Sequence, residues 1–463
     1  MPETGEQVRW FLRCYVASNY LTWGCFANII VQMKLILDLI YLAAAVALSP
    51  LVIYRMLRHD RYKAGWSHRF GNVTRKRPEK KCIWIHAVSL GEVNATTTIV
   101  KEFQKRFSDY EILISTTTDT GFARANSLYG DEHTVFYFPL DFSWIRKRVF
   151  KNLKPTACLF MELEVWPNFV SIANKMNIPV VVVNGRISKN SFQKYLKIKA
   201  IAKRMFAKVS LILAQSEEYA ERFRQIGCRE KKVVVTGSLK YDTAEITDKV
   251  EGAYALAVQL SIDTEQLLVA GGTGPGEEAI VLETFEQLIR LDTAGVLRLV
   301  IVPRKPERFD EVAELVQQKG FEIICYSEFK TSVLRNAKAL KTRTVILGDT
   351  MGDLRKFYSL ASLIFVGRTL VPMGGSDMME AAALGKFTVF GPYTFNFTQT
   401  VDALLSGDGA VRVADRYQLF EVLQKCLNEP EYAKQIATNG QQIIKKNQGA
   451  TQKTIDQIEK LLT

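Results

Sequence analysis

Carboxylate side chains follow two apolar segments at positions where they could take a proton from a substrate. Glu92 comes shortly after the run IWIHAV, and Glu162 and Glu164 follow the run ACLFM. Because alternate residues of an extended chain share a face, we expect Glu162 and Glu164 to project together. Such carboxylates can act as general bases, and pairing them raises one pKa or requires a cation. The alternatives are that Glu92 stabilises a helix dipole and that the pair is a structural salt bridge beneath Trp166.

Residues 365–397 have the pattern of a nucleotide-binding turn. They predict a buried strand, a double-glycine turn at Gly374 and Gly375, a helix that begins near Ser376, and a second buried strand. Glycine lets the backbone approach a ligand, and the free amides of a helix start face anions. Glu380, one turn further on, could accept hydrogen bonds from both hydroxyls of a ribose. An ordinary loop with a capped helix has the same residues.

Three more loops follow apolar runs and could contact a phosphate, at residues 271–278, 303–308 and 348–354. Arg304 can hold a phosphate by two parallel hydrogen bonds. Lys240, in the polar stretch between the two halves of the chain, could reach a phosphate or carboxylate, although a linker lysine is usually only solvated. The dinucleotide fingerprint and the P-loop both fail, because Glu277 occupies a required glycine position and Phe387 replaces Ser or Thr.

The elements that must position these residues are visible as apolar runs that alternate with amphipathic stretches. The runs are KCIWIHAV, EILIST, TVFYF, ACLFM, IPVVVVN and VSLILAQ, then QLLVAG, VLRLVIV, FEIICY, TVILG, SLIFVG and KFTVF. This alternation predicts βαβ units, and therefore an α/β fold with two doubly wound, Rossmann-like domains. We predict the domains at residues 65–245 and 246–463, with terminal helices in the second.

Residues 35–54 are apolar over the length needed to cross a membrane, with Asp38 as their one charge. Arg55, Arg58, Arg61 and Lys63 follow the run, which by the positive-inside rule places the large C-terminal part in the cytoplasm. We expect a transmembrane or deeply inserted anchor in residues 33–64. A cleaved signal peptide is the alternative. Translation could also begin at Met33, which would make residues 1–32 a gene-model extension.

The composition excludes several function classes. The 463 residues include 61 Lys and Arg against 48 Asp and Glu, a net charge of +13 that indicates an anionic partner. No zinc-finger spacing, RNP motif or basic run with interleaved aromatics supports nucleic-acid binding, so a membrane surface or an acidic substrate fits better. The seven scattered cysteines indicate free thiols in a reducing compartment, and the four histidines lack metal-ligand spacing, His86 being a structural strand residue.

The ordered motifs HAVSLGE, ELEVWPN, GSLKYD, PRKPER, DTMGDL and LVPMGGSDMMEAAALGK resemble the 3-deoxy-D-manno-octulosonic acid (Kdo) transferases. The resemblance extends from the apolar run to near the C-terminus. It implies a GT-B fold of two facing Rossmann-like domains with an N-terminal anchor helix, the first domain binding the acceptor and the second a CMP-sugar. It further implies inverting transfer of Kdo from CMP-Kdo to a phosphorylated lipid A precursor on the cytoplasmic side of the inner membrane, without a metal or cofactor.

The resemblance also assigns residue roles. The catalytic base falls on Glu92, and positions that stabilise the transition state fall on Glu162 and Lys240. The CMP-binding positions fall on Thr273, Pro303, Arg304, Met351, Gly352, Asp353, Gly374, Gly375, Asp377, Met378, Met379 and Glu380.

The chain departs from the family pattern in both glycine-containing loops. Ser376-Asp377 replaces the common His-Asn, Ala381 replaces a proline, and residues 272–274 replace Ser-Thr-His. We therefore expect weaker anion binding. The alternative functions are another GT-B transferase or epimerase that uses a UDP-sugar, and a non-catalytic membrane scaffold.

Overall fold

The chain forms two compact units, each built on one parallel sheet. The computed structural model describes residues 36–54, 56–58, 64–262, 266–291, 297–330 and 343–462. The first unit lies within Met1–Leu239 and Gly449–Thr463, and the second within Lys240–Gln448. The structure differs here from the predicted bounds at 245 and 246, since the division falls earlier and the last helix belongs to the first unit.

The first unit contains seven parallel strands in the order β3-β2-β1-β4-β5-β6-β7. The strands are β1 (Lys81–His86), β2 (Tyr110–Thr116), β3 (Thr134–Tyr137), β4 (Ala157–Met161), β5 (Val180–Gly185), β6 (Leu211–Ala214) and β7 (Val233–Val235). The helices are α1 (Ile36–Arg58), α2 (Trp66–Arg69), α3 (Leu90–Ala95), α4 (Thr97–Arg106), α5 (Asp119–Tyr129), α6 (Ser143–Leu153), α7 (Pro167–Lys175), α8 (Lys189–Lys197), α9 (Lys199–Phe206) and α10 (Glu217–Gln225), with a 3-10 helix at Glu230–Lys232.

The second unit repeats the arrangement with the strand order β10-β11-β9-β8-β12-β13-β14. Its helices are α11 (Lys240–Thr243), α12 (Ala253–Gln259), α13 (Glu277–Leu291), α14 (Phe309–Gln318), α15 (Tyr326–Lys330), α16 (Leu354–Leu360), α17 (Met379–Ala383), α18 (Thr398–Ser406), α19 (Arg416–Asn428) and α20 (Pro430–Asn447), with a 3-10 helix at Pro306–Arg308. Its strands are β8 (Gln266–Thr273), β9 (Leu297–Pro303), β10 (Glu322–Cys325), β11 (Thr344–Leu347), β12 (Leu363–Val366), β13 (Phe387–Phe390) and β14 (Val411–Arg412).

Both faces of each sheet are buried, which is why the strands read as continuous apolar runs rather than as alternating ones. Along β1, Cys82 and Trp84 pack into one core cluster, while Ile83 and Ile85 pack into the cluster on the opposite face. In the second unit, β8 divides its side chains between two clusters in the same way. All twelve apolar runs form strands, as predicted.

The last helix, α21 (Ala450–Leu462), completes the core of the first unit. Ile455 and Ile458 are fully buried in the cluster that covers one face of the sheet. Arg106 on α4 pairs with Asp456 at 2.8 Å and with Glu459 at 3.0 Å. These contacts explain why the terminal helix does not stay with the second unit, where the sequence order placed it.

The strand order changes direction at one point in each sheet. In the first sheet β1 lies between β2 and β4, and in the second β8 lies between β9 and β12. The loops after β1 and β4 therefore diverge to opposite sides, as do those after β8 and β12, and open α/β sheets bind ligands in the crevice that forms there. Glu92 and Glu162 follow β1 and β4, whereas Thr273 ends β8 and the double-glycine loop follows β12.

Helix α1 is long and apolar enough to cross a membrane, by length and composition only. It has 23 residues and a mean hydropathy of 2.3 in its most apolar window, none of which is buried. The predicted extension at residues 1–32, the first residues of the predicted anchor, and the basic residues Arg55, Arg61 and Lys63 lie outside the described part of the chain. The described cysteines are free thiols, and only Cys325 is not buried.

Candidate active site

Glu92 is held beside the end of β1 by a reciprocal cap at the start of α3. The hydroxyl of Ser89 accepts a hydrogen bond from the main-chain N–H of Glu92. The Glu92 carboxylate accepts in return from the N–H of Val88 at 2.9 Å and from the Ser89 hydroxyl at 3.1 Å. This is a variant of the capping box, in which Glu92 binds the N–H of Val88 instead of that of the cap residue Ser89, so the structural interpretation of Glu92 applies. It does not exclude the catalytic one, because the same bonds fix the orientation of the carboxylate.

The surroundings of Glu92 adjust it for proton transfer near neutral pH. Burial raises the pKa of Glu92 to about 7, and the charges of Glu162 and Glu164 add to the effect, while hydrogen bonds from Val88 and Ser89 oppose it. A general base is most effective when its pKa lies near the working pH. The carboxylate therefore has the acid–base property that the predicted role requires.

Glu162 and Glu164 are brought together by a turn. The prediction that they lie on an extended segment was wrong, because β4 ends at Met161 and Glu162 adopts a φ of 57° in the left-handed region. That conformation is costly for a residue with a side chain and is found mainly where the surrounding structure enforces it. The N–H of Glu162 donates to the carbonyl of Val183 at 2.9 Å, which holds the turn against β5.

The two carboxylates line a cavity of about 510 Å³ in the first unit. Arg186 and Lys194 line it as well, together with Tyr195. Burial raises the pKa of Glu164, and Glu162 adds to this rise. A cavity with acids and cations on its wall suits a polar ligand that carries both hydroxyls and anionic groups. Neither cation was predicted from the sequence, although Arg186 lies two residues after the predicted strand IPVVVVN.

In the second unit the structure brings Lys240 and Arg304 close to Asp377. Desolvation of its carboxyl raises the pKa of Asp377, although the residue as a whole is exposed, and the charges of Lys240 and Arg304 oppose the rise. Lys240 is the first residue of α11, and Arg304 is exposed directly after β9. The charges of two cations thus act on one carboxylate where a phosphate site was predicted.

The helix predicted to begin near Ser376 begins at Met379, and it has only five residues. The N–H of Gly375 donates to the carbonyl of Arg368 at 2.8 Å, and that of Ser376 donates to Gly367 at 3.0 Å. Two of the amides that were expected to face an anion are thus used within the loop. The helix start was predicted too early, because the polar residues before the helix bond to the ends of neighbouring strands.

Backbone conformation and close packing explain the double glycine. Gly374 and Gly375 both have a φ of 89°, which favours glycine. A Cβ atom on Gly374 would lie 2.2 Å from the amide nitrogen of Asn396, so the close approach at this point is to the loop after β13. Whether a ligand also approaches stays a prediction.

The remaining predicted residues of this segment contribute different atoms. Met378 and Met379 are buried in the core, so that only their main chain is available to a ligand. Glu380 is half-buried at the start of α17. Burial raises its pKa, as does the charge of Asp377, and Arg355 opposes the shift.

Thr273, Pro303 and Arg304 are joined by the pairing of β8 with β9. The N–H of Arg304 donates to the carbonyl of Thr273 at 3.1 Å. Thr273 is 1% exposed, and its hydroxyl has no partner among the residues that the structure describes. A buried hydroxyl at a strand end is a suitable ligand contact, because an unpaired polar group is costly to bury.

The loop before α16 has an exposed tip at Met351 and Gly352, and it is held by the buried side chain of Asp353. Met351 is 64% exposed, and Gly352, with a φ of 90°, has open space around its Cα. Asp353 is buried and accepts hydrogen bonds from the Thr350 hydroxyl at 2.6 Å and from the Lys356 ammonium at 2.8 Å. These bonds hold the tip in place.

Glu277 organises the strand-end loops of the second unit, and its importance was missed in the sequence. Its buried carboxylate accepts hydrogen bonds from the main-chain N–H groups of Gly274, Arg368, Thr369 and Leu370. It thereby joins the loop after β8 to the loop after β12. No local signal could have found it, because three of the partners lie more than 90 residues away.

Comparison with known proteins identifies the family. The model of the family described as 3-deoxy-D-manno-octulosonic-acid transferase (kdotransferase) matches residues 64–243. The 3-deoxy-D-manno-octulosonic acid transferase of Haemophilus influenzae is 32% identical over 88% of this chain and 93% of its own length. The chain belongs to the Kdo transferase family. The Bordetella pertussis transferase is 29% identical, over 91% of this chain and 98% of its own length.

The Kdo transferase has the GT-B fold. The UDP-GlcNAc 2-epimerase of Neisseria meningitidis superposes with a TM-score of 0.52 over 82% of this chain and all of the other, at 15% identity. At that identity the likeness concerns the fold alone. The function follows from the family, and the protein is a glycosyltransferase of lipopolysaccharide biosynthesis. The predicted roles of its individual residues stay predictions.

Replacement of Glu277 by Gln should destabilise the second unit. The amide keeps one acceptor oxygen but turns an NH₂ group toward main-chain N–H groups, and each amide left unpaired costs about 1–3 kcal/mol. We expect a lower melting temperature and weaker CMP binding, measured by calorimetry on the full chain. Glu421→Gln, an exposed change on α19, is the matched control. Unchanged melting of the Glu277 variant would contradict the assigned role.

Proposed function

We propose that this Kdo transferase moves Kdo from CMP-Kdo to a phosphorylated lipid A precursor, with inversion at the sugar. The observation that carries the acceptor half is Glu92, whose pKa of about 7 belongs to a carboxylate fixed by Val88 and Ser89 at the reversal point of the first sheet. Family membership supplies the reaction class. Both substrates are polar and anionic, which agrees with the cationic side chains at each predicted site.

In the proposed reaction Glu92 takes the proton of the attacking acceptor hydroxyl. It must be ionised before attack, and it holds the proton once the new glycosidic bond has formed. Glu162 and Glu164 raise its proton affinity by like-charge repulsion. A carboxylate such as Glu162 would also stabilise the positive charge that develops on the sugar ring as the donor bond breaks.

The second unit would bind the donor and stabilise the departing CMP. The leaving group gains negative charge on phosphate, and Arg304 and Lys240 are the cations beside the predicted site. The Thr273 hydroxyl, the exposed tip at Met351 and Gly352, and the Glu380 carboxylate would contact other parts of the nucleotide. Asp377 opposes anion binding there, so we infer that this chain binds its donor less tightly than a relative with asparagine at this position.

The proposed acceptor is a membrane lipid, which explains why the chain carries the apolar helix α1. We infer that the protein works at the inner membrane, with both units on the cytoplasmic side and α1 in contact with lipid. The exposed apolar side chains of α1 and the excess of positive charge along the chain support attachment to an anionic surface.

The direct test is transfer by the purified full-length protein. Incubation with CMP-Kdo and a tetra-acylated lipid A precursor should raise the mass of the acceptor by whole Kdo units. Reactions with UDP-sugars in place of CMP-Kdo should leave it unchanged, and EDTA should not prevent transfer, since no metal is expected. An unchanged acceptor mass with CMP-Kdo, or product from a UDP-sugar alone, would defeat the proposal.

The pH dependence should report Glu92. Because a raised pKa keeps the carboxyl protonated below about pH 7, kcat/KM should rise with pH up to about 7 and then level off. Glu92→Gln should reduce kcat about 10²- to 10⁴-fold and remove this limb, with CMP affinity retained. Glu79→Gln, an exposed change in the same unit, is the control. A limb that persists in the Glu92 variant would assign the base elsewhere.

Replacement of Asp377 by Asn should strengthen CMP binding. The change removes a negative charge next to Lys240 and Arg304 but leaves an oxygen that can still accept from the N–H of Met379. A partly exposed charge pair is worth about 0.2–1 kcal/mol, so the dissociation constant should fall by up to about fivefold in titration calorimetry. Asp402→Asn, exposed on α18, is the control. Weaker binding would indicate that Asp377 contacts the nucleotide favourably.

A further inference from the structure

The first turn of α1 is bonded to the body of the first unit. The carboxylate of Asp38 accepts hydrogen bonds from the N–H of Ser143 at 2.9 Å, from the Ser143 hydroxyl at 2.6 Å and from the side-chain amide of Asn168 at 3.0 Å. One turn later, the hydroxyl of Tyr41 donates to the carboxylate of Asp141 at 3.1 Å. The N-terminal part of α1 is therefore attached to the first unit by hydrogen bonds, in addition to the chain connection at its C-terminal end.

Asp38 and Asp141 accept hydrogen bonds from the first amides of two helices in the unit. Helix α6 starts after Phe142, which has no side-chain oxygen to cap it, and Asp38 supplies the missing acceptor at Ser143. Asp141 does the same for α7, by accepting from the N–H groups of Asn168 and Phe169 at 3.0 Å each. The first amides of a helix need such partners. Asp38 is thus part of the folded structure.

The hydrogen bonds of Asp38 and Tyr41 to the first unit, which we call the latch, conflict with a helix that crosses the bilayer. Asp38 and Arg58 are 20 residues apart, which corresponds to about 30 Å of helix, the thickness of the hydrocarbon core. Residue 64 follows six residues after Arg58, a reach of at most about 20 Å. Both ends of α1 therefore lie near the same unit. In a membrane-spanning helix Asp38 would lie across the bilayer from Ser143 and Asn168.

The partly covered residues of α1 lie along one side of the helix. The partly covered residues beyond its first two are Asp38, Tyr41, Ser49, Val52 and Met56. At about 100° per residue they fall within roughly a quarter of the helix circumference. The large apolar side chains at other positions are about half exposed or more, and they include Ile36, Leu39, Ile40, Leu42, Val46, Leu48, Leu51, Ile53 and Leu57. A broad apolar face thus lies opposite the stripe that carries the latch.

We propose that α1 lies in the plane of one leaflet, latched to the first unit by Asp38 and Tyr41, with its apolar face in the acyl chains. Helices that rest in a membrane surface bury one apolar face and keep a polar face toward the protein or water. Arg58, the last residue of the helix, would then meet anionic headgroups of the same leaflet. The inference is independent of the transferred sugar and of the acceptor.

Tag accessibility distinguishes an in-plane helix from a spanning one. The full-length chain would carry a protease-cleavable tag before Met1 and a second, different tag after Thr463. In sealed inner-membrane vesicles with the cytoplasmic face outward, added protease should remove both tags. In vesicles of the opposite orientation it should remove neither. Removal of the N-terminal tag from the opposite side to the C-terminal tag would overturn the proposal.

Hydrogen exchange tests the latch itself in protein bound to vesicles. Asp38→Ala should speed amide exchange in the first turn of α6 by roughly two- to thirtyfold, the range expected for loss of a helix cap. Leu42→Ala, an exposed apolar change one turn further along α1, should leave that exchange unchanged. If the alanine variant does not fold, Asp38→Asn keeps an acceptor oxygen and should give a smaller increase. Unchanged exchange in the folded Asp38 variant would show that no latch forms on the membrane.

Discussion

Carboxylates that accept hydrogen bonds from main-chain amides of distant segments hold the loops of this protein in place. Glu277 binds the loops after β8 and β12 to each other, and Asp141 caps the helix that follows the acidic turn at Glu162. Strand-end loops bury little apolar surface, and their amides lack the regular partners of helices and sheets. A fixed carboxylate satisfies several of these amides at once. Thr273 and the double-glycine segment adjoin the loops that Glu277 joins.

The position of Glu92 shows how one residue can have a structural and a chemical role. Hydrogen bonds from Val88 and Ser89 favour the ionised carboxylate and would lower its pKa if they acted alone. Burial is the larger effect, and the charges of Glu162 and Glu164 act in the same direction. The outcome near pH 7 requires both the oriented capping box and the two acids after β4. β1 and β4 are paired neighbours in the sheet, so the segments that carry these acids start side by side.

The sequence predicted the fold better than it predicted the loops. Apolar runs identify buried strands because both sheet faces are covered, and only β7 and β14, of three and two residues, were missed. Local caps such as Ser89 are visible as motifs. The left-handed turn at Glu162 and the late start of α17 are not, since both depend on bonds to neighbouring strands. Glu277 was used only to reject a glycine fingerprint, because its partners are remote in sequence.

The latch on α1 connects the membrane to the acidic turn. Asn168 donates its side-chain amide both to Asp38 and to the carbonyl of Asp141, and it lies four residues after Glu164. A lipid acceptor presents its reactive hydroxyl at a limited height above the bilayer, so a base on a freely tethered domain would meet it in many orientations. Bonds from the anchor helix to the segment that carries Glu162 and Glu164 restrict that freedom. Orientation of this kind lowers the entropic part of a reaction barrier, which a flexible tether of equal affinity would not do.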